Sequence, residues 1–105
     1  MTKKLPEAVK IIRCAKRLLK KGWTKTYFAR NIKNEKCLST DKKAVCWCML
    51  GALNRASGHK WQMFISKSNI YKVFGEQAMC DFNDNANSVE EVLSALTHLE
   101  DLHAE

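Results

Sequence analysis

The chain has 105 residues, 46% of them hydrophobic, with one proline and a formal charge of +7 from 18 basic and 11 acidic side chains. That length suits one domain (1–105) with a real core and is too short for two, and the composition is that of a folded globular protein rather than a disordered or fibrous one. No uncharged run approaches the roughly 20 residues that span a bilayer, and Glu7, Lys10 and Arg13 interrupt the N-terminal segment before a secretion signal could form, so the expectation is a cytoplasmic protein without membrane attachment.

From Leu5 to Lys21 the apolar residues Leu5, Ala8, Val9, Ile11, Ile12, Ala15, Leu18 and Leu19 fall on one half of a helical wheel. Lys10, Arg13, Lys16, Arg17, Lys20 and Lys21 occupy much of the other half. Pro6 suits a first turn and Gly22 a stop, which predicts an amphipathic helix with a basic outer face. Between Trp23 and Ser39 the period changes. Asn31 to Asn34 reads as a turn between Thr26–Ala29 and Cys37–Leu38, giving a small β-hairpin or a loop.

The run Ala44-Val45-Cys46-Trp47-Cys48-Met49-Leu50-Gly51-Ala52-Leu53 carries no charge. A helix apolar around its whole circumference must be enclosed by others, so this segment is expected to be the buried central helix, capped by Ser39 or Thr40 with Asp41 in its first turn, and ending near Ala56 before Ser57-Gly58. Gly51 in its interior costs about 1 kcal/mol relative to alanine, which implies that another backbone passes close by. A short helix after Gly58 and a second over about Ser68–Phe74, stopped by Gly75, are expected next. Asp81 to Asn87 reads as a polar turn. Ser88-Val89-Glu90-Glu91 reads as a capping box opening a last helix with Val89, Val92, Leu93, Leu96 and Leu99 on one stripe. The expected fold is mainly α: four to five helices around the central one, with room for one small hairpin.

Four signatures, Gly22-Trp23-Thr24, Phe28-Ala29-Arg30, Ala44 to Leu53, and Phe82-Asn83-Asp84 followed by Val89-Glu90-Glu91-Val92-Leu93, together resemble a family of small phage and bacterial domains of unknown function. The pattern there tends to have tryptophan where this chain has Phe82 and an acidic residue where it has Asn31. The resemblance implies a fold and no particular chemistry, and it marks Arg30, Asn83 and Asp84 as positions to inspect.

Charge is segregated along the chain: residues 1–75 hold 18 basic and 3 acidic side chains, and residues 76–105 hold none and 8. The result is either opposed basic and acidic surfaces or internal neutralisation, if the last helix packs on the first. If the first helix's basic face is open, Lys10, Arg13, Lys16, Arg17, Lys20 and Lys21 present lysine and arginine together, as contact with an acidic protein surface or with nucleic acid requires. The alternative is a merely solvated face. The polar pair Asn83-Asp84, with Arg30, is a further candidate binding element, or else a brace for its turn.

Catalysis would require a cysteine activated by histidine, with Cys46 or Cys48 beside His59, His98 or His103 as the available types. Nothing in their spacing singles them out, and no phosphate loop, redox C-x-x-C or paired catalytic carboxylate is present. Cys37, Cys46, Cys48, Cys80 and His59 could supply metal ligands, but zinc sites pair cysteines with two to four residues between them on loops, whereas Cys46-x-Cys48 is expected inside an apolar helix, where residues two apart point to different sides. Neither metal nor cofactor is expected. The reading is a small non-enzymatic binding module of phage or mobile-element type, acting on a host protein or nucleoprotein complex. A general nucleic-acid-binding accessory protein is the alternative.

Overall fold

Glu7 opens the first helix and Lys20 and Lys21 close it, so each charge sits at the end of the helix dipole that favours it. In this computed structural model, which describes residues 7–58 and 75–104, helix α1 (Glu7–Lys21) buries Ala8, Val9, Ile11, Ile12, Ala15 and Leu19 along one stripe. Gly22 ends it by donating its N–H to the Leu18 carbonyl at 3.1 Å. Leu5 and Pro6 lie outside the described residues.

The uncharged run divides into two elements where one helix was expected. Strand β1 (Ala29–Asn31) pairs antiparallel with β2 (Ala44–Trp47), Ala29 opposite Trp47 and Arg30 opposite Cys46, with an irregularity after Arg30. Ala44 and Trp47 are buried while Val45 is exposed. The other edge of β2 is also covered at one point, because Thr24 N–H donates to the Trp47 carbonyl and Trp47 N–H to that of Gly22, both at 3.0 Å. Helix α2 (Met49–Ser57) begins only after Cys48, whose extended backbone and thiol, accepting Gly51 N–H at 3.3 Å, form the N-cap.

Ser39 and Thr40 therefore do not cap the helix. Ser39 is buried and accepts Trp47 Nε1–H on its carbonyl at 2.9 Å and Asn54 Nδ2–H on its hydroxyl at 2.8 Å. Asp41 instead turns its own loop by accepting Lys43 N–H at 2.9 Å. The expected stop is present: Gly58 adopts φ +61°, the left-handed C-cap that glycine enters without a Cβ penalty. So is the Asn31–Asn34 turn, where the Asn31 side chain accepts the N–H groups of Lys33 and Glu35 and Arg30 forms an isolated bridge with Lys36.

The helices expected between Gly58 and Phe74 fall outside the described residues. Gly75 opens a helix, α3 (Gly75–Asn85), which runs through the segment expected to be a polar turn. Asn and Asp usually weaken helices by bonding to nearby backbone. Here the Asn83 amide is engaged by tertiary partners, and Asn85 donates to the Asp81 carbonyl within the helix at 2.8 Å. Helix α4 (Val89–Ala104) follows, and the Glu91 carboxylate reaches back to accept Asn87 N–H at 2.9 Å, one residue beyond the expected box partner.

The described residues thus form four helices and a two-stranded antiparallel sheet, a mainly α fold. Ile12, Leu19, Met49, Leu53, Leu96, Leu99, Val9 and Val92 are its largest fully buried apolar side chains, and α1 packs against both α2 and α4. Gly51 admits the Phe28 backbone: a Cβ there would stand 1.9 Å from the Phe28 carbonyl oxygen. Among the described residues no helix is long and apolar enough to cross a membrane.

Candidate functional site

Asn83, on the last turns of α3, is fully buried and satisfied on both sides of its amide. Its Oδ1 accepts Trp23 Nε1–H at 2.8 Å and Met49 N–H at 2.9 Å, and its Nδ2 donates to the Thr24 carbonyl at 3.1 Å and to Asp84 Oδ1 at 3.3 Å. Two donors to the oxygen and two acceptors for the nitrogen exhaust what this side chain can do. Asp84 Oδ1 also accepts Thr26 N–H at 2.8 Å. Thr26 has φ +77°, a conformation that costs a β-branched residue about 1–3 kcal/mol and persists only where its surroundings enforce it. Asn83 and Asp84 therefore lock the loop after α1 onto the first turn of α2.

Arg30 belongs to the same assembly. Its Nε donates to Thr24 Oγ1 at 2.9 Å, its Nη1 to the Asn34 carbonyl at 3.0 Å, and its guanidinium lies 4.6 Å from the Tyr27 ring centroid. Thr24 thus joins Arg30 to Asn83, bringing together three candidates read separately along the chain. The arrangement holds backbone in place, with the guanidinium committed to local partners.

The six basic residues of α1 separate into two groups. Arg13 Nε and Lys16 Nζ meet the two carboxylate oxygens of Glu100 on α4 at 2.9 and 2.6 Å, and Lys16 also donates to Thr97 Oγ1 at 3.2 Å. The Lys16 hydrogen bond, assisted by the one from Arg13, holds the Glu100 carboxyl below the usual carboxylate range against the opposing effect of burial. Lys10 faces Glu7 within its own helix at 3.8 Å. Arg17, Lys20 and Lys21 are exposed, and among the described residues none of them pairs with a carboxylate. The last helix thus neutralises part of the first.

A second surface escaped the sequence reading. Tyr27, Phe28, Ile32, Leu38 and Val45 are exposed by 39%, 48%, 87%, 71% and 45%, more solvent contact than a core explains. Tyr27, Phe28 and Leu38, with Lys36 and Cys37, line a hollow of about 370 Å³. Ile32 and Val45 line another of about 330 Å³ together with Lys33, Lys42 and Lys43, with Glu35 the acidic member. Gly22 connects this surface to α1, since a Cβ there would stand 2.3 Å from the Val45 carbonyl oxygen. A signal existed in the sequence: five large apolar residues dispersed among the lysines of residues 25–45, outside any helical stripe.

Cys48 is no nucleophile at neutral pH. Burial pushes its thiol up to about 11, overcoming the lowering influence of the Gly51 N–H it accepts. The Cys37 thiol is also raised, chiefly by desolvation and then by Asp41. His98 is exposed on α4, while His59 and the His103 side chain lie outside what is described. Among the described residues no three His, Cys, Asp or Glu side chains converge in a way that could hold a metal ion.

Neither a curated protein nor a solved structure matches the chain. A family defined by sequence does match, over residues 4–102, a span that includes the Asn83–Trp23–Met49 lock, the Arg30 contacts and the hairpin alike. With nearly its whole length so matched, the chain belongs to the family of unknown function DUF6197.

Proposed function

We propose that this protein is a non-catalytic binding module that attaches to an acidic partner through one basic surface, running from the C-terminal half of α1 onto the hairpin. The observation that carries this reading is the junction at Gly22. Arg17, Lys20 and Lys21 are neutralised by no described carboxylate, and Gly22, which follows them, lies against the backbone of Val45, a residue lining the same hollow as Lys33, Lys42 and Lys43. Like charges are tolerated at such density where solvent or an oppositely charged partner screens them, and complementary charge speeds and orients association. Small size and resemblance to phage and bacterial domains support a phage or mobile-element origin and a host protein complex as the target. Five cysteines, none in a disulfide, support a reducing, cytoplasmic setting.

A specific feature favours nucleic acid as a second reading: the partly exposed Tyr27 ring, flanked by Arg30 at 4.6 Å and Lys36 at 5.8 Å, has the aromatic and cationic elements of a base-stacking platform. Pull-down from host lysate with the wild type and with Arg17, Lys20, Lys42 and Lys43 changed to glutamate tests the leading reading, which expects capture by the first and none by the second. Capture undiminished in the folded variant refutes it. A salt titration of DNA and RNA binding decides the second reading, which requires affinity falling steeply with the logarithm of salt concentration.

A further inference from the structure

We infer that the hairpin surface recognises a short acidic segment of a partner protein bearing large apolar side chains, with the Tyr27–Phe28–Leu38 hollow receiving its principal anchor. This rests on the binding-module reading and adds to it the chemistry of the ligand. A purely electrostatic surface, such as one tracking a phosphate backbone, has no use for exposed aliphatic groups. Ile32 and Leu38 are exposed by 87% and 71%. Phosphates cannot reward their desolvation, whereas an apolar side chain can, and an apolar centre within a charged rim is the anatomy of protein–protein contacts.

Each hollow is lined by large apolar residues together with lysine: Lys36 in one, and Lys33, Lys42 and Lys43 against Glu35 in the other. Opposite charge in the ligand is therefore matched on both. The surface is also well supported. Leu38 and Phe28 project from backbone fixed by the Cys37 N–H to Ala29 carbonyl bond at 3.0 Å and by the Cys48 N–H to Phe28 carbonyl bond at 3.2 Å. Ligand binding therefore does not first have to order the hollow, which lowers its cost. The same chain carries a competitor, an open hollow on α3 and α4 lined by Phe82 and Ala95 with Glu90 and Glu91, so a second copy is a distinct outcome of the test.

The test uses the full chain and fluorescein-labelled probes: a peptide alternating glutamate with leucine and phenylalanine, a polyglutamate of equal length, and oligo-dT. Leu38→Ser and Ile32→Ser are the variants, both at exposed positions, with circular dichroism confirming the fold. Anisotropy should show tightest binding to the mixed peptide, with Leu38→Ser weakening it by about tenfold or more, the effect of removing an interface anchor. Amide shifts in an NMR titration should centre on residues 27–38. Equal affinity for polyglutamate or oligo-dT, unaffected by either variant, overturns this inference while leaving the binding-module reading intact. Failure of every probe also overturns it, and the lysate capture of the charge-reversed protein then judges the broader reading separately. Concentration-dependent dimerisation that Leu38→Ser abolishes assigns the surface to a second copy and likewise overturns it.

Discussion

Replacing Gly51 with alanine opposes two effects whose signs differ, which makes the outcome decisive. In an open helix the change would stabilise by about 1 kcal/mol, because alanine is the better helix former. Here the added Cβ would stand 1.9 Å from the Phe28 carbonyl oxygen and 2.8 Å from its carbon, both backbone atoms that no rotamer change can remove. Either α2 or the segment at Phe28 must withdraw by more than an ångström, and the Cys48 N–H to Phe28 carbonyl bond would lengthen from 3.2 Å. Overpacking of this kind costs about 1–3 kcal/mol or more and the lost hydrogen bond about 1 kcal/mol. Set against the helix gain, the net destabilisation is about 1–3 kcal/mol or more, which lowers Tm by at least about 4–8 °C for a domain of this size. Urea and thermal unfolding followed by circular dichroism measure it, with Gly58→Ala as control. Gly58 has no neighbour within 4 Å of a Cβ and should lose only the roughly 1 kcal/mol of left-handed strain. A Gly51→Ala protein as stable as the wild type would refute the close passage of the Phe28 backbone.

Asn83→Leu should cost about 3–5 kcal/mol, because it leaves the Trp23 and Met49 N–H groups and the Thr24 carbonyl without their buried partner; chemical denaturation with little loss would refute the lock. Glu100 has a folded-state pKa below its unfolded value, so its contribution, about 1 kcal/mol for a group whose partners are partly exposed, is present above about pH 4.3 and is lost as pH falls through the lower folded value. Glu100→Gln should therefore narrow the gap in stability between neutral and acid pH, and an unchanged pH profile would remove Arg13 and Lys16 as its partners. The Cys48 thiol, 4% exposed and shifted to about 11, should resist a bulky maleimide in the native state and react on unfolding, whereas rapid native labelling would contradict its capping role.

The legible parts of the fold were those in which one element meets one core. Helix α1 and helix α4 each show a single apolar stripe, and Val92, Leu96 and Leu99 are buried where the period of α4 put them. The run from Ala44 to Leu53 was misread because a strand covered on both edges and a buried helix are alike in composition over so few residues. What separates them is alternation over Ala44–Trp47 and a cap supplied by a thiol, a weaker signal than serine or aspartate. Asn83-Asp84 looked like a turn because its local preference is for one. Its helical state is set by Trp23, Thr24, Thr26 and Met49, all of them distant in sequence. The exposed apolar surface was hidden for a related reason: whether Ile32 or Leu38 is covered depends on neighbours that no local pattern names.

These distant partners also tie together the signatures singled out along the sequence. Gly22, Trp23 and Thr24 touch β2 and Asn83, the Phe28 carbonyl meets Cys48 and Gly51, Arg30 meets Thr24, and Asp84 holds Thr26. These residues therefore interlock around the start of α2, where they fasten a strained loop. Ile32, Lys33, Lys36, Leu38, Lys42 and Lys43, which carry the proposed interaction, lie outside these signatures, whereas Phe28 and Val45 serve both, each through its carbonyl in a close backbone contact and as a lining residue of one hollow. Fastening and recognition are thus separated on adjacent atoms of one short segment. Substitution of the exposed residues changes what the surface can bind while the hydrogen bonds that fix its shape persist, and substitution of Asn83 removes that shape without altering a single side chain that would touch the partner.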